Sequence, residues 1–179
     1  MASRRLTGVL LVGGASRRFG SPKALASLEG ETLAERAWRV LGEACDERLA
    51  VGKQGELDLP FKVTDDGTGV RAPIAGVVAG LRAAANDVAV FLPVDAPLVT
   101  PELVRELGEA CVEVAVPLTG PLPGAYAKNA LPVLERRLEA GELALRDALA
   151  ELEVAVVAAD PETLRNVNRP EDLAKLAQR

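Results

Sequence analysis

The sequence predicts an α/β fold, a single three-layer α/β/α domain over residues 1–179 with a mainly parallel sheet. Apolar runs of strand length alternate with helical patterns from one end of the chain to the other, as in successive β-α-β units. With 179 residues and 49% hydrophobic content, the chain can bury one core but is too short for two ordinary domains.

Six strands are expected in this sheet. They are the apolar, strand-like runs that alternate with the helical patterns. The first and the fourth are interpreted as buried strands. In chain order they are Leu6–Val12, Arg48–Val51, Lys62–Thr64, Val88–Leu92, Val112–Val116 and Val154–Ala158.

Two helices have clear N-terminal signals. Leu33–Ala44 follows Thr32, and Glu35 stands where a capping box requires it. Pro101–Ala110 begins with proline directly after Thr100, which is a favourable N-cap. We therefore expect both helices to begin at these residues.

Two further helical segments contain glycines. A helix over Ile74–Ala85 includes Gly76 and Gly80, which lower helix propensity but lie four residues apart. That spacing would allow the helix to approach the sheet closely. The segment Ala130–Ala150 is predicted as two helical pieces that are broken at Gly141.

The end of the chain and one central segment complete the prediction. A helix is expected over Arg169–Gln178, with Asn168 as its N-cap and acidic residues near its positive end. Pro117–Gly124 is too rich in proline and glycine for a helix or a central strand. We interpret it as a loop that either borders the active site or is an ordinary surface connection.

The composition excludes several classes of protein. The sequence has no histidine, so Ser-His-Asp and Cys-His hydrolases, histidine-ligated zinc and haem with a proximal histidine are ruled out. A net charge of −5 and 3% aromatic residues argue against a nucleic-acid surface. The chemistry must depend on carboxylates, lysine, arginine, backbone groups and a hard metal ion.

The sequence also predicts a location. Its apolar runs are too short to span a membrane, and no long apolar region follows the first five residues as export would require. We expect a cytoplasmic protein. Cys45 and Cys111 lack partners at metal-ligand spacing and are interpreted as reduced, buried thiols.

A glycine-rich loop follows the first strand. The segment from Gly13 to Gly20 and the nearby Lys23 combine glycines with three cations, Arg17 and Arg18 being the others. Glycines let backbone N–H groups approach an anion, and the cations match a polyphosphate. The loop fits neither the Walker A pattern nor the dinucleotide fingerprint, so it predicts a nucleotide site of another kind.

Two carboxylate segments are expected to meet this loop. Asp65 and Asp66 follow Lys62–Thr64, and Asp95 follows Val88–Leu92. In parallel sheets, the carboxyl ends of the strands lie at one edge, where ligands bind. The segments that follow these strands are therefore expected to lie close together. Asp95 lies between prolines and is the candidate magnesium ligand, the alternative being a solvated aspartate in a turn.

Four segments together resemble the molybdenum cofactor guanylyltransferases, within the small nucleotidyltransferase superfamily. They follow one another in the order and spacing of that family over nearly the whole chain. The segments are Leu11-Val12-Gly13-Gly14 with Arg18-Phe19-Gly20 and Lys23; Asp65-Asp66 with Ala72-Pro73-Ile74-Ala75-Gly76; Pro93-Val94-Asp95-Ala96-Pro97; and Asn166-Val167-Asn168-Arg169-Pro170-Glu171-Asp172.

The resemblance implies a Rossmann-like nucleotidyltransferase fold and an enzyme. Its expected reaction transfers GMP from GTP to the phosphate of Mo-molybdopterin, with Mg²⁺ as cofactor and pyrophosphate as the second product. Proteins that deliver the molybdenum cofactor and accept the product are possible partners. Because the accepting phosphate is already anionic, positioning and charge neutralisation suffice without a strong general base.

The resemblance also assigns roles to residues. Lys23, Arg18 and Asp95 are the expected catalytic residues, and Asp95 is the metal ligand. Asn166 and Asn168 are candidates for substrate contact, although helix capping alone would explain Asn168. The nucleotide-binding set is Leu11, Val12, Gly13, Gly14, Lys23, Asp66 and Asp95.

One departure keeps alternatives open. Val51 stands where the family often places an asparagine at the end of the second strand, and valine has no side-chain hydrogen bond to offer. A related cytidylyltransferase or sugar-phosphate nucleotidyltransferase is the enzyme alternative, although Gly13-Gly14 favours the guanylyl branch. A non-catalytic nucleotide-binding regulatory or carrier protein is the other alternative, and the presence of Lys23 and Asp95 argues against it.

Overall fold

A seven-stranded mixed sheet forms the centre of the structure, a computed structural model that describes residues 3–13, 19–53, 55 and 57–178. Its strand order is β5-β4-β1-β6-β8-β7-β9, and β2 pairs with β3 in a separate hairpin. The strands are β1 (Leu6–Leu11), β2 (Ser27–Leu28), β3 (Glu31–Thr32), β4 (Glu47–Gly52), β5 (Val63–Asp65), β6 (Val88–Pro93), β7 (Val114–Pro117), β8 (Gly124–Ala127) and β9 (Val154–Val157).

Helices cover both faces of this sheet, as the predicted three-layer α/β fold requires. On one face, α1 and α3 contribute Leu41 and Leu107 to a core that includes Leu10 of β1. On the other, α2 and α4 contribute Ile74 and Leu134. The helices are α1 (Leu33–Ala44), α2 (Pro73–Ala83), α3 (Pro101–Ala110), α4 (Leu131–Glu139), α5 (Leu145–Ala148) and α6 (Pro170–Ala177).

The strand directions define one functional edge. β1 is parallel to β4 and β6, and β4 is parallel to β5. The carboxyl ends of these four strands therefore open together, and the segments that follow them share one edge of the sheet. We call it the carboxyl edge.

All six predicted strands are present, but the sequence analysis missed the β2–β3 hairpin and, in the main sheet, the strand β8. This strand pairs antiparallel with both β6 and β7 and is buried along its length. Tyr126 packs edge-on against Phe91 with 5.7 Å between the ring centroids, and its hydroxyl donates to the Pro121 carbonyl oxygen at 2.8 Å. The short Gly-Ala-Tyr-Ala run lacks β-branched residues, so its strand conformation depends on partners distant in sequence.

The predicted N-caps of α1 and α3 are confirmed. The Glu35 backbone N–H donates to Thr32 Oγ1 at 3.2 Å, and the Thr32 N–H donates to Glu35 Oε2 at 3.0 Å, which completes the capping box. The Leu103 N–H donates to Thr100 Oγ1 at 3.3 Å. Local sequence therefore sets the start of both helices.

The predicted N-cap of α6 is wrong. The helix begins at Pro170, so Arg169 rather than Asn168 occupies the N-cap position. The Asp172 carboxylate accepts from the backbone N–H groups of Asn168 and Arg169, at 3.0 Å each. Proline favours the first helical position, and its place here moves the cap one residue along the chain.

Glycines let α2 pack closely on the sheet, as predicted. A Cβ atom at Gly76 would lie 2.7 Å from Leu11 Cδ2. At Gly80 it would lie 2.6 Å from Phe91 Cε1 and 2.9 Å from Val9 Cγ1. Real Cβ atoms do not approach other carbons this closely, so side chains at these two positions would push α2 away from the sheet.

Gly80→Ala is expected to destabilise the protein by about 1–3 kcal/mol, because overpacking outweighs the better helix propensity of alanine. Gly42→Ala in α1 is the matched control, since a Cβ atom there would meet the flexible Arg48 guanidinium, with Nη1 at 2.7 Å. Urea unfolding measures both variants. Equal stability of the two would contradict the close-packing account.

The two cysteines are free thiols, and Cys111 is buried as predicted whereas Cys45 is only partly buried. Burial raises the pKa of Cys45 to about 12 and that of Cys111 to about 11. The thiolate is the reactive form, so at pH 8 both are expected to react slowly with a disulfide reagent while the protein is folded. Both should react rapidly in denaturant, and fast labelling of the folded protein would contradict this expectation.

Among the described residues, no helix combines the length and the apolar character that crossing a membrane requires.

Candidate active site

A cleft of about 840 Å³ lies at the carboxyl edge. Its walls are built from the segments that follow β1, β4, β5 and β6, together with the start of α2. Leu122 and Asn166, both from the second half of the chain, complete the lining. The loop after β7 therefore borders the cleft through Leu122, which favours the interpretation that the loop is part of the candidate site.

The end of β1 forms the floor of the cleft. Leu11, Val12 and Gly13 all line it. The Val12 N–H donates to the Val51 carbonyl oxygen at 3.0 Å, which extends the pairing with β4 beyond β1. A Cβ atom at Gly52 would lie 2.7 Å from Val12 Cγ2, so glycine is needed where the two strand ends converge.

Three predicted or candidate residues lie outside the part of the chain that the structure describes. They are Gly14, Arg17 and Arg18 of the glycine-rich loop.

Lys23 and Asp95 meet in the cleft although 72 residues of sequence separate them. Lys23 Nζ lies 3.8 Å from Asp95 Oδ2, and their side chains are 16% and 30% exposed. Lys23 begins a 3-10 turn directly after Pro22, and the Ala26 N–H donates to the Lys23 carbonyl oxygen at 3.0 Å. This distance is longer than that of a hydrogen bond, so the contact is a loose ion pair.

The environment of Asp95 favours a bound cation. Burial raises the pKa of the Asp95 carboxyl, while the positive charge of Lys23 acts in the opposite direction and does not fully offset it. A partly buried carboxylate that one ammonium neutralises incompletely gains from a further positive charge. Asp95 is thereby suited to hold a hard cation at the cleft wall.

A backbone hydrogen bond joins the segment that contains Asn166 to Asp95. The Val167 N–H donates to the Asp95 carbonyl oxygen at 2.8 Å, and the Val167 side chain is fully buried against Phe19 and Leu33. This anchoring places Asn166 in the cleft lining. Asn168 is exposed and does not belong to the lining, so the structure does not bring it to the site.

Asp66 lies on the opposite wall in an ion pair that the sequence analysis missed. Lys53 Nζ is 2.6 Å from Asp66 Oδ1, and their side chains are 13% and 8% exposed. Lys53 is the first polar residue after β4, and its position at the carboxyl edge was the available signal. Val51 is buried beneath α2 and also lines the cleft, and the strand continues to Gly52.

The described side chains that could bind Mg²⁺ in this site are few. Within the described residues, no group of three or more histidine, cysteine or acidic side chains is arranged to hold a metal. Magnesium usually keeps several waters and binds through one or two carboxylates and the phosphates of its substrate. A single oxygen donor such as Asp95 in an open cleft fits that mode of binding.

The charge of the cleft differs from that of the whole chain. Its described lining carries three cationic side chains, Lys23, Lys53 and Arg71, against the two carboxylates of Asp66 and Asp95. The chain as a whole has a net charge of −5. A locally cationic cleft in an acidic protein attracts a small polyanion such as a nucleoside triphosphate.

The chain resembles known nucleotidyltransferases over most of its length. Residues 8–156 match the family model described as MobA-like NTP transferase domain. A probable molybdenum cofactor guanylyltransferase from Opitutus terrae is 38% identical over 93% of this chain and 92% of its own length. Another from Deinococcus radiodurans is 38% identical over 97% and 95%, respectively.

A solved structure has the same architecture. Molybdopterin-guanine dinucleotide biosynthesis protein A from Archaeoglobus fulgidus superposes with a TM-score of 0.82 at 25% identity. The match covers 96% of this chain and 97% of the other. The predicted fold class is therefore confirmed.

Proposed function

Because this chain belongs to the MobA-like NTP transferase family and is a nucleotidyltransferase, we propose that it is a molybdenum cofactor guanylyltransferase. It transfers GMP from GTP to the phosphate of Mo-molybdopterin, in a Mg²⁺-dependent reaction, and releases pyrophosphate. The names of its relatives support the substrates. The observation that carries the proposal is the meeting of Lys23 and Asp95 in a locally cationic cleft.

The reaction requires little proton transfer. An oxygen of the acceptor phosphate attacks the α-phosphorus of GTP, and the bond from that phosphorus to the oxygen bridging the β-phosphate breaks. The bonding electron pair leaves with pyrophosphate. Since the attacking oxygen is already anionic, catalysis depends on alignment and on neutralising charge. This agrees with a chain that contains no histidine.

Lys23 and Asp95 divide this work in the proposed mechanism. Asp95 would hold Mg²⁺, which would supply neutralisation of the phosphate charge. The Lys23 ammonium stabilises the negative charge that develops on the α-phosphate and on the departing pyrophosphate. Arg18, in the glycine-rich loop, is proposed as a further phosphate contact.

The nucleotide is proposed to bind between β1 and β5. Backbone groups of Leu11, Val12 and Gly13 are proposed to bind it at the end of β1, and Asp66 at the end of β5. Gly14, which lies outside the described residues, is proposed as a further contact from the sequence alone. Asn166 is proposed to contact the second substrate. We do not extend this role to Asn168, because its exposed position outside the cleft lining gives it no support.

Several expectations from the sequence stay predictions. These are a single domain over residues 1–179, action in the cytoplasm, and exchange of the cofactor with delivery and acceptor proteins.

Calorimetric titration with GTP, CTP, ATP and UTP, each with and without Mg²⁺, tests the choice of donor. GTP is expected to bind most tightly, and Mg²⁺ is expected to strengthen its binding. A preference for CTP would instead favour a cytidylyltransferase, consistent with a valine at position 51. Tight binding without pyrophosphate release in the presence of the acceptor would favour a non-catalytic nucleotide-binding protein.

A further inference from the structure

The ion pair of Lys53 and Asp66 is part of a larger hydrogen-bond network. Lys53 Nζ donates to Asp66 Oδ1 at 2.6 Å and to the Thr68 carbonyl oxygen at 2.5 Å. Asp66 Oδ1 also accepts from the Thr68 backbone N–H at 3.0 Å. One ammonium therefore joins the end of β4 to both ends of a three-residue turn after β5.

This turn forms a wall of the cleft. Asp66 and Val70 line it, and the Val70 N–H donates to Thr68 Oγ1 at 3.1 Å, so the same network continues along the lining. Lys53 itself is a lining residue. A shift of Lys53 would consequently move the Asp66 carboxylate and the backbone up to Val70.

The fold does not depend on the ion pair for its strand pairing. β4 and β5 are paired through their backbones from Ala50–Val63 to Gly52–Asp65, and the Asp66 N–H donates to the Gly52 carbonyl oxygen at 3.1 Å. Buried ion pairs contribute little net stability, because the desolvation of two charges offsets their attraction. A role in positioning therefore explains the presence of this ion pair better than a contribution to the stability of the fold.

We propose that Lys53 is a positioning residue for the nucleoside triphosphate. It fixes the orientation of the Asp66 carboxylate and the position of the turn to Val70, and in this way sets nucleotide affinity. The inference rests on the proposed function, in which Asp66 faces the nucleotide. Lys53 acts through Asp66 and the turn rather than on the reacting atoms.

Calorimetric titration with GTP and Mg²⁺ tests this role in three variants. Lys53→Met is expected to weaken GTP binding by about 10-fold or more, since it removes hydrogen bonds between charged groups. Lys53→Arg should restore most of the affinity. Lys62→Met is the matched control, because it removes the same charge from an exposed position beside β5 and should leave GTP binding unchanged.

A double-mutant cycle with Asp66→Asn separates positioning from general electrostatic attraction. If Lys53 acts through Asp66, Lys53→Met adds little to the loss caused by Asp66→Asn alone. Full additivity of the two losses would overturn the inference. The double variant removes both partly buried charges. If Lys53→Met alone folds poorly, comparing the double variant with Asp66→Asn still tests the inference, since equal GTP affinity supports it and a further loss overturns it.

Steady-state kinetics provide an independent readout. Lys53→Met is expected to raise KM for GTP while kcat stays within about 2-fold, as for a residue that contributes to binding but not to the chemical step. Wild-type affinity in Lys53→Met would overturn the inference and leave the proposed function intact. Failure of the wild-type protein to bind any nucleoside triphosphate would overturn both.

Discussion

Asp95→Asn is expected to lower Mg²⁺-dependent turnover by about 100-fold or more, because it removes the negative charge that is proposed to hold the metal. Asparagine keeps the shape of the side chain and the backbone hydrogen bond from Val167 to residue 95. The protein should therefore fold normally, and thermal unfolding should show no loss of stability.

The matched control for this variant is Asp87→Asn. Asp87 is exposed and precedes β6, whereas Asp95 follows the same strand at the carboxyl edge. Initial rates of pyrophosphate release at several Mg²⁺ concentrations compare the two. A near-normal rate for Asp95→Asn, or an equal loss for Asp87→Asn, would remove Asp95 from the proposed mechanism.

Lys23→Met is expected to lower kcat by about 100-fold, the usual effect of removing one donor that stabilises transition-state charge. The loss should fall mainly on kcat, since the charge that Lys23 neutralises develops during the reaction. Removing the ammonium also leaves Asp95 without its neighbour at 3.8 Å, so higher Mg²⁺ should recover part of the activity.

Lys175→Met provides the comparison for Lys23→Met, because Lys175 lies exposed on α6 and the charge change is the same. Both variants are measured over a range of GTP concentrations. An increase in KM for Lys23→Met with an unchanged kcat would show that this lysine contributes to ground-state binding and not to the chemical step.

Much of this architecture follows from local sequence signals. Thr32 and Thr100 cap their helices as predicted because a capping hydroxyl and its target N–H lie within one turn of each other. The meeting of Lys23 and Asp95 also follows, because parallel strands end at the same edge of a sheet and each residue lies beyond such an end.

Two features that the sequence did not reveal depend on partners distant along the chain. β8 is a strand because β6 and β7 pair with it on both sides. In the sequence, Lys53 has the features of a solvated lysine. Only the pairing of β4 and β5 places it beside Asp66, which lies 13 residues later. The third difference is local: asparagine is a favourable N-cap residue, but Pro170 sets the start of the helix, so Asn168 is not the cap.

The most direct test of guanylyl transfer is to identify the product. Purified protein is incubated without oxygen with GTP, Mg²⁺ and Mo-molybdopterin, and the released cofactor is analysed by mass spectrometry. We predict a pterin product that has gained one GMP, with one pyrophosphate formed for each product molecule. A product that forms from CTP and not from GTP, or GTP that is bound but left intact, would contradict the assignment.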